Sequence, residues 1–239
     1  MASEYLKWKY RDVRPDVLVA MTPAKRRKNW WHYHKWQVLL GAALLASLIS
    51  IGRHALGLGE TRPDYQIAYV GANPLPKDTV LAVEHAFSSL GEDLNGDGKV
   101  SVRLTQYAGG GDAGAAYSAG ISLMGDLLEC QSYFFLLEDP EHFQTEYHSL
   151  CRLDGSLPAD SDSSADSTCL AWSQCPALAC QELGSYSYSL LGETISGGNR
   201  ALVEPLFLGR RGFWTEKTTE YPEGCEALWE RLTEGAKVS

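Results

Sequence analysis

The sequence predicts an α/β protein: a single transmembrane helix followed by one three-layer domain, with a mostly parallel sheet and helices on both faces. Three observations carry that expectation. Trp36–Gly52 (WQVLLGAALLASLISIG) is a run of seventeen residues without a charge, and the basic and aromatic stretch KRRKNWWHYHK precedes it. Strand-like and helix-like apolar periodicities then alternate from Tyr65 to Leu150. Such alternation builds parallel strands joined by right-handed crossovers. About 185 residues follow the span, enough for one domain with its own core.

The uncharged run, at about 1.5 Å per residue, covers roughly 25 Å of a hydrocarbon layer of about 30 Å. Its flanks supply the difference. Trp30, Trp31, Tyr33 and Trp36 make an interfacial aromatic belt, while Lys35 and Arg53 extend their charged ends toward headgroups. Charge sets the direction. Residues 1–35 hold nine Lys or Arg against three acids, and the remainder holds twelve against 27. The positive-inside rule therefore places 1–35 in the cytoplasm and the C-terminal part outside the cell membrane. Residues 1–35 are too few and too polar for a core, and Lys25–Lys28 suits anionic lipid. A cleaved signal peptide would have a shorter basic region and an A-x-A site. A lipoprotein would need a cysteine just after the run, whereas the first is Cys130. The expectation is a single-pass signal-anchor embedded in the bilayer.

The part after the span carries a formal charge of about −15, from twelve basic and 27 acidic residues. Such a domain repels nucleic acid. All six cysteines lie there, on the side where disulfides form. The cluster Cys169, Cys175 and Cys180 suggests one local bridge. Its spacing matches no zinc pattern. His142, His148 and Cys151 form a possible metal trio, more simply read as a short surface helix.

The elements follow in order. Residues 53–64 read as a tether and 65–239 as the outer domain. Tyr65–Val70 is strand-like. Lys77–Leu90 places Val80, Val83, Phe87 and Leu90 on a helical stripe entered through Pro76. Val100–Tyr107 alternates as a strand does. Ala113–Cys130, capped by Asp112, sets Tyr117, Gly120, Ile121, Met124, Leu127 and Leu128 on one helical face, read as the inner one. Ser132–Leu137 is a short apolar strand and 140–150 a brief helix. Residues 156–168 (SLPADSDSSADST) form a flexible acidic loop. Tyr186–Leu191 and Ala201–Leu208 read as strands. A last helix begins at Pro222, with Cys225, Leu228, Trp229 and Leu232 inward.

The sharpest motif is DLNGDGKVSV. Asp93, Asn95 and Asp97 stand at positions 1, 3 and 5 of a calcium loop, with Gly98 at the turn, the Lys99 carbonyl at 7 and Ser101 at 9. Position 12, where a bidentate Glu belongs, is Leu104. The competing reading is a helix-to-strand turn using left-handed Asn and Gly. AGGGDAG (residues 108–114) matches no nucleotide fingerprint and reads as a connector. No nucleophile elbow and no H-E-x-x-H occurs. In an open parallel sheet, ligands sit beyond the carboxyl ends of the strands. That rim would hold Gly71, Asn73, Tyr107, Asp112, Glu138 and Asp139. Arg210 and Arg211 could clamp a carboxylate or phosphate, or pair with the domain's own acids.

EYLKWKYRDVRPD, NWWHYHKW, RPDYQIAYVGANPLP, GEDLNGDGKV and GRRGFW resemble a family of uncharacterised membrane-anchored proteins of Gram-positive gut bacteria. The resemblance implies the same architecture and no known activity. More loosely, the β-α-β-α-β run with MGDLLECQSYFFLLEDP looks like one lobe of an extracellular solute-binding protein. Fold does not set function. The reading is a non-enzymatic, membrane-tethered module that binds an unknown protein or small molecule, with calcium as the candidate ion. The alternatives are a solute-binding or sensor protein, needing a pocket at the strand rim, and a hydrolase, needing a His or Cys beside a carboxylate in a cleft.

Overall fold

A computed structural model describes residues 22–55, 62–159, 164–190, 192–214 and 216–236. It comprises two compact units, Met1–Thr61 and Arg62–Ser239. The cytoplasmic reading of 1–21, the middle of the tether (56–61), residues 160–163 of the acidic loop and Leu191 lie outside the described residues.

In the first unit, α1 runs from Pro23 to Ala55, 33 residues. It opens on Pro23, where a missing N–H costs nothing. Pro23–Gly52 is long and apolar enough to cross a membrane. The helix begins before the uncharged run because no Gly or Pro interrupts Lys25–Lys35. At about 1.5 Å per residue, α1 is roughly 50 Å long, more than the about 30 Å of a hydrocarbon layer.

The second unit is α/β. Its elements are β1 (Tyr65–Gly71), α2 (Lys77–Ser88), β2 (Val102–Ala108), α3 (Ala113–Glu129), β3 (Phe134–Leu137) and α4 (Pro140–Tyr147), then α5 (Ala165–Thr168) and β4 (Cys169–Ala171). A 3-10 turn (Trp172–Gln174) follows, then α6 (Pro176–Ala179), β5 (Ser185–Leu190), β6 (Glu193–Gly198), α7 (Asn199–Val203), β7 (Phe207–Arg210) and α8 (Pro222–Thr233). The main sheet has the order β2-β1-β3-β7-β4, and β5 and β6 form a separate hairpin.

The expectation of a mostly parallel sheet is corrected. β1 pairs in parallel with β2 and β3, but β7 lies antiparallel to both β3 and β4. The strand–helix alternation that implied parallel crossovers ends at α4; β7 is entered from the β5–β6 hairpin through α7 and runs back between β3 and β4. The sheet is mixed.

Alternation along the strands feeds two apolar clusters. Tyr65, Ile67, Tyr69, Phe134, Leu136 and Leu208 join Val83 and Phe87 of α2, Val203 of α7, and Cys225, Leu228, Trp229 and Leu232 of α8. Ala68, Phe135 and Leu137 join Leu123 and Leu127 of α3, Phe143 of α4 and Leu150. All four β3 side chains are buried, as its unbroken apolar run predicts.

Two further expectations change. Ala201–Leu208 is not one strand. Asn199–Val203 closes a helical turn because buried Asn199 accepts from Thr79 Oγ1 (2.7 Å) and donates to the Leu183 carbonyl (2.7 Å). All six cysteines are free thiols. The bridge expected in the Cys169–Cys175–Cys180 cluster is not formed: Cys169 belongs to one apolar cluster, Cys175 to the other, and Cys180 is exposed.

Candidate functional site

The strand order reverses between β1 and β3, so the topology opens its crevice there. Gly71 ends β1 and Glu138 follows β3. Tyr69 Oη donates to Glu138 Oε1 (2.6 Å) and to the Asn73 carbonyl (2.9 Å), and the Ala72 N–H donates to Glu138 Oε2 (2.8 Å). Burial, then the Glu138 carboxylate, pushes the Tyr69 phenol well above its ordinary pKa. Gly71 is glycine for space: a Cβ there would stand 2.6 Å from Glu138 Cδ. The structure thus brings Gly71, Asn73 and Glu138 together and occupies the Glu138 carboxylate with Tyr69 and Ala72.

The other rim residues do different work. Asp112 caps α3 by accepting from the Ala115 N–H (2.7 Å), and Asp139 caps α4 by accepting from the His142 N–H (2.9 Å). Tyr107 turns inward from β2 and donates to Asp126 (2.7 Å).

The loop Asp93–Ser101 is tightly wound. Asp93 accepts from the N–H groups of Gly96 and Gly98, both 2.7 Å, with those glycines at φ +75° and +83°. Asn95 accepts from the Asp97 N–H and Asp97 from the Lys99 N–H. Asp64 gathers the N–H groups of Leu94, Asn95 and Ser101 at 2.7–2.9 Å. Sequence reading missed Asp64, which lies 29 residues before the motif begins. The side-chain oxygens of Asp93, Asn95 and Asp97 bind the loop's own backbone, and the Ser101 hydroxyl pairs with Asp64. No group of three or more His, Cys, Asp or Glu that could hold a metal occurs among the described residues.

Arg210 and Arg211 lie at the opposite end of the sheet from the rim, because antiparallel β7 sets Arg210 beside Phe134, at the start of β3. Both are buried. Arg210 pairs with Glu226, donates to the carbonyls of Leu153 (2.9 Å) and Arg152 (3.3 Å), and stacks 5.1 Å from the Trp229 ring centroid. Arg211 donates to the carbonyls of Leu127 and Ser132 and faces Asp126 at 3.8 Å.

Beside Arg211 lies a groove of about 360 Å³, lined by Met124, Leu127, Leu128, Tyr147, His148, Phe213 and Trp214, with Glu146 and Lys217 at its polar edge. Cys130 and His148, which end α3 and α4, also line it. They are the non-glycine residues with positive φ among the described residues, at 52° and 46°. Such conformations cost energy and collect at binding sites. Its walls mix apolar side chains with the polar groups of Glu146, His148, Ser149, Arg211 and Lys217. Sequence reading missed this groove, since its walls come from three separated segments.

It also mistook the face of α3. Of the predicted inner stripe only Leu127 is buried, whereas Leu123 and Asp126 point inward. Asp126 accepts from Tyr107, from the Ser132 N–H (2.9 Å) and from Ser132 Oγ (2.5 Å). This network turns the helix so that Tyr117, Ile121, Met124 and Leu128 face outward. Comparison with known protein families, curated proteins and solved structures found no match.

Proposed function

We propose that this chain is a single-pass membrane protein whose outer, three-layer domain is a non-enzymatic binding module. In this reading residues 1–35 are cytoplasmic, α1 spans the bilayer and the acidic domain is extracellular, as in the membrane-anchored family that the sequence resembles. The basic and aromatic turns at one end of the apolar helix support that direction. The observation that carries the binding role is the groove at the ends of α3 and α4, with its two left-handed residues and the apolar helix face beside it. The non-enzymatic reading rests on how the titratable candidates are used: Glu138 holds Tyr69 and Ala72, and both arginines bind the domain's own groups.

The test is a photo-crosslinking residue placed at Trp214, in the full chain in intact cells, with Leu81 on α2 as the control position. Both are about half exposed. The proposal expects an adduct from position 214 and none from 81. No adduct from either, or equal adducts from both, would remove it. The direction across the membrane is checked with an impermeant thiol reagent, which should label Cys180 on intact cells and not a cysteine replacing Lys7.

A further inference from the structure

The helix α3 is uncharged from Ala113 to Gly125 and apolar on most of its circumference. A helix of that character is normally covered on every side. Here its first turns are exposed, and the outward ridge is open: Tyr117 is 74% exposed, Ile121 57%, Met124 45% and Leu128 66%. The spacing of four, three and four residues places these side chains in one row. Gly114, Ser118 and Gly125 lie alongside on the same exposed side.

We propose that this face is a self-association surface and that its occupant is α3 of a second copy, packed antiparallel about a two-fold axis at Ile121. The proposal rests on the binding-module reading and names its partner. The residue pattern selects the occupant. With Ile121 meeting its own copy on the axis, the other large residues each meet a small one: Tyr117 opposes Gly125, Met124 opposes Ser118 and Leu128 opposes Gly114. Ridges entering grooves in this way give close helix packing, and an isologous pair uses each contact twice.

Charge points the same way. The part after the span carries about −15, from twelve basic and 27 acidic residues, so most faces of two copies repel. The α3 ridge itself carries no charge from Ala113 to Gly125, whereas a basic partner would be drawn elsewhere. Area is adequate too. The four ridge side chains and Trp214 at the groove edge expose on the order of 600 Å², near the ~800 Å² per partner of a standard interface. A shared membrane would add to this by confining copies to one layer and raising their effective concentration.

The experiment uses the full chain in mild detergent, with mass read by light scattering. The wild type is expected at twice the 26.3 kDa chain mass. I121D and I121K are each expected to weaken association at least tenfold, by setting like charges face to face on the axis. An equimolar mixture of the two should restore the dimer. In a C180S background, I121C should form an oxidised dimer and L81C should not. Ile121 is more than half exposed, so these changes leave the fold intact, which circular dichroism checks. A monomeric wild type at tens of micromolar, a dimer indifferent to I121D, or a failed charge-swap rescue overturns the proposal. Adducts from position 214 to a different protein, with a monomeric wild type, would overturn self-association while leaving the binding module standing.

Discussion

Asp126 is the residue on which the groove side of the domain depends. It is 3% exposed and accepts three hydrogen bonds from Tyr107 and Ser132 while facing Arg211. Asp126→Ala would leave a buried guanidinium without its counter-charge and free the Tyr107 hydroxyl and the Ser132 N–H. Removing one partner of a buried ion pair costs about 3–5 kcal/mol. That is a large share of a typical stability of about 5–15 kcal/mol. Asp126→Asn keeps the shape but removes the same charge and leaves one oxygen to serve donors that now use two, so it should also cost about 3–5 kcal/mol. The double variant D126L/R211M replaces both charges with apolar volume and should be more stable than D126A. The assay is denaturant unfolding of the full chain in mild detergent, followed by near-ultraviolet circular dichroism. A D126A variant within about 1 kcal/mol of wild type, or a double variant worse than D126A, would refute the reasoning.

Gly71→Ala should destabilise by about 1–3 kcal/mol, because its Cβ meets Glu138; the same unfolding assay checks it, and E138A should relieve part of the loss. Burial raises the thiols of Cys169, Cys175 and Cys225 from 9.0 to about 12. Their contribution is full below pH 9 and falls as pH rises, since the unfolded chain releases protons that the folded chain keeps. Between about pH 9 and 10 each thiol should remove up to ~1.4 kcal/mol per pH unit, and alanine at all three should flatten the slope. Native alkylation should modify Cys180 well before the five buried cysteines, as mass spectrometry would show; equal rates would contradict the packing. Calorimetric titration with calcium should show no saturable heat below about 1 mM, because Asp93, Asn95 and Asp97 serve the loop's own backbone and position 12 is Leu104; a submillimolar isotherm would establish the calcium reading instead.

Local pattern and fold correspond closely from Tyr65 to Tyr147. There, period-two and period-3.6 spacings are long enough to separate strand from helix. β1, α2, β2, α3 and α4 begin or end within a few residues of their expected places. Pro222 and the stripe Cys225, Leu228, Trp229 and Leu232 also placed α8 correctly, all four being buried. The later strands were harder. β4 is three residues long, and apolar Ala201–Leu208 divides between α7 and β7 only because Asn199 is held by Thr79 and Leu183.

The sequence alone determined the apolar helix with its basic flank, the α/β character of the domain, and the acidity of the part after the span. Each follows from composition or from spacing within one segment. Tertiary structure decided the direction of β7, and with it the separation of Arg210 and Arg211 from the strand rim. It also decided which face of α3 turns inward. A polar residue such as Asp126 reads as outward until its partners arrive from β2, from the chain before β3 and from β7's end. Those partners are remote in sequence and meet only on folding, so no local periodicity encodes the rotation that leaves the apolar ridge exposed.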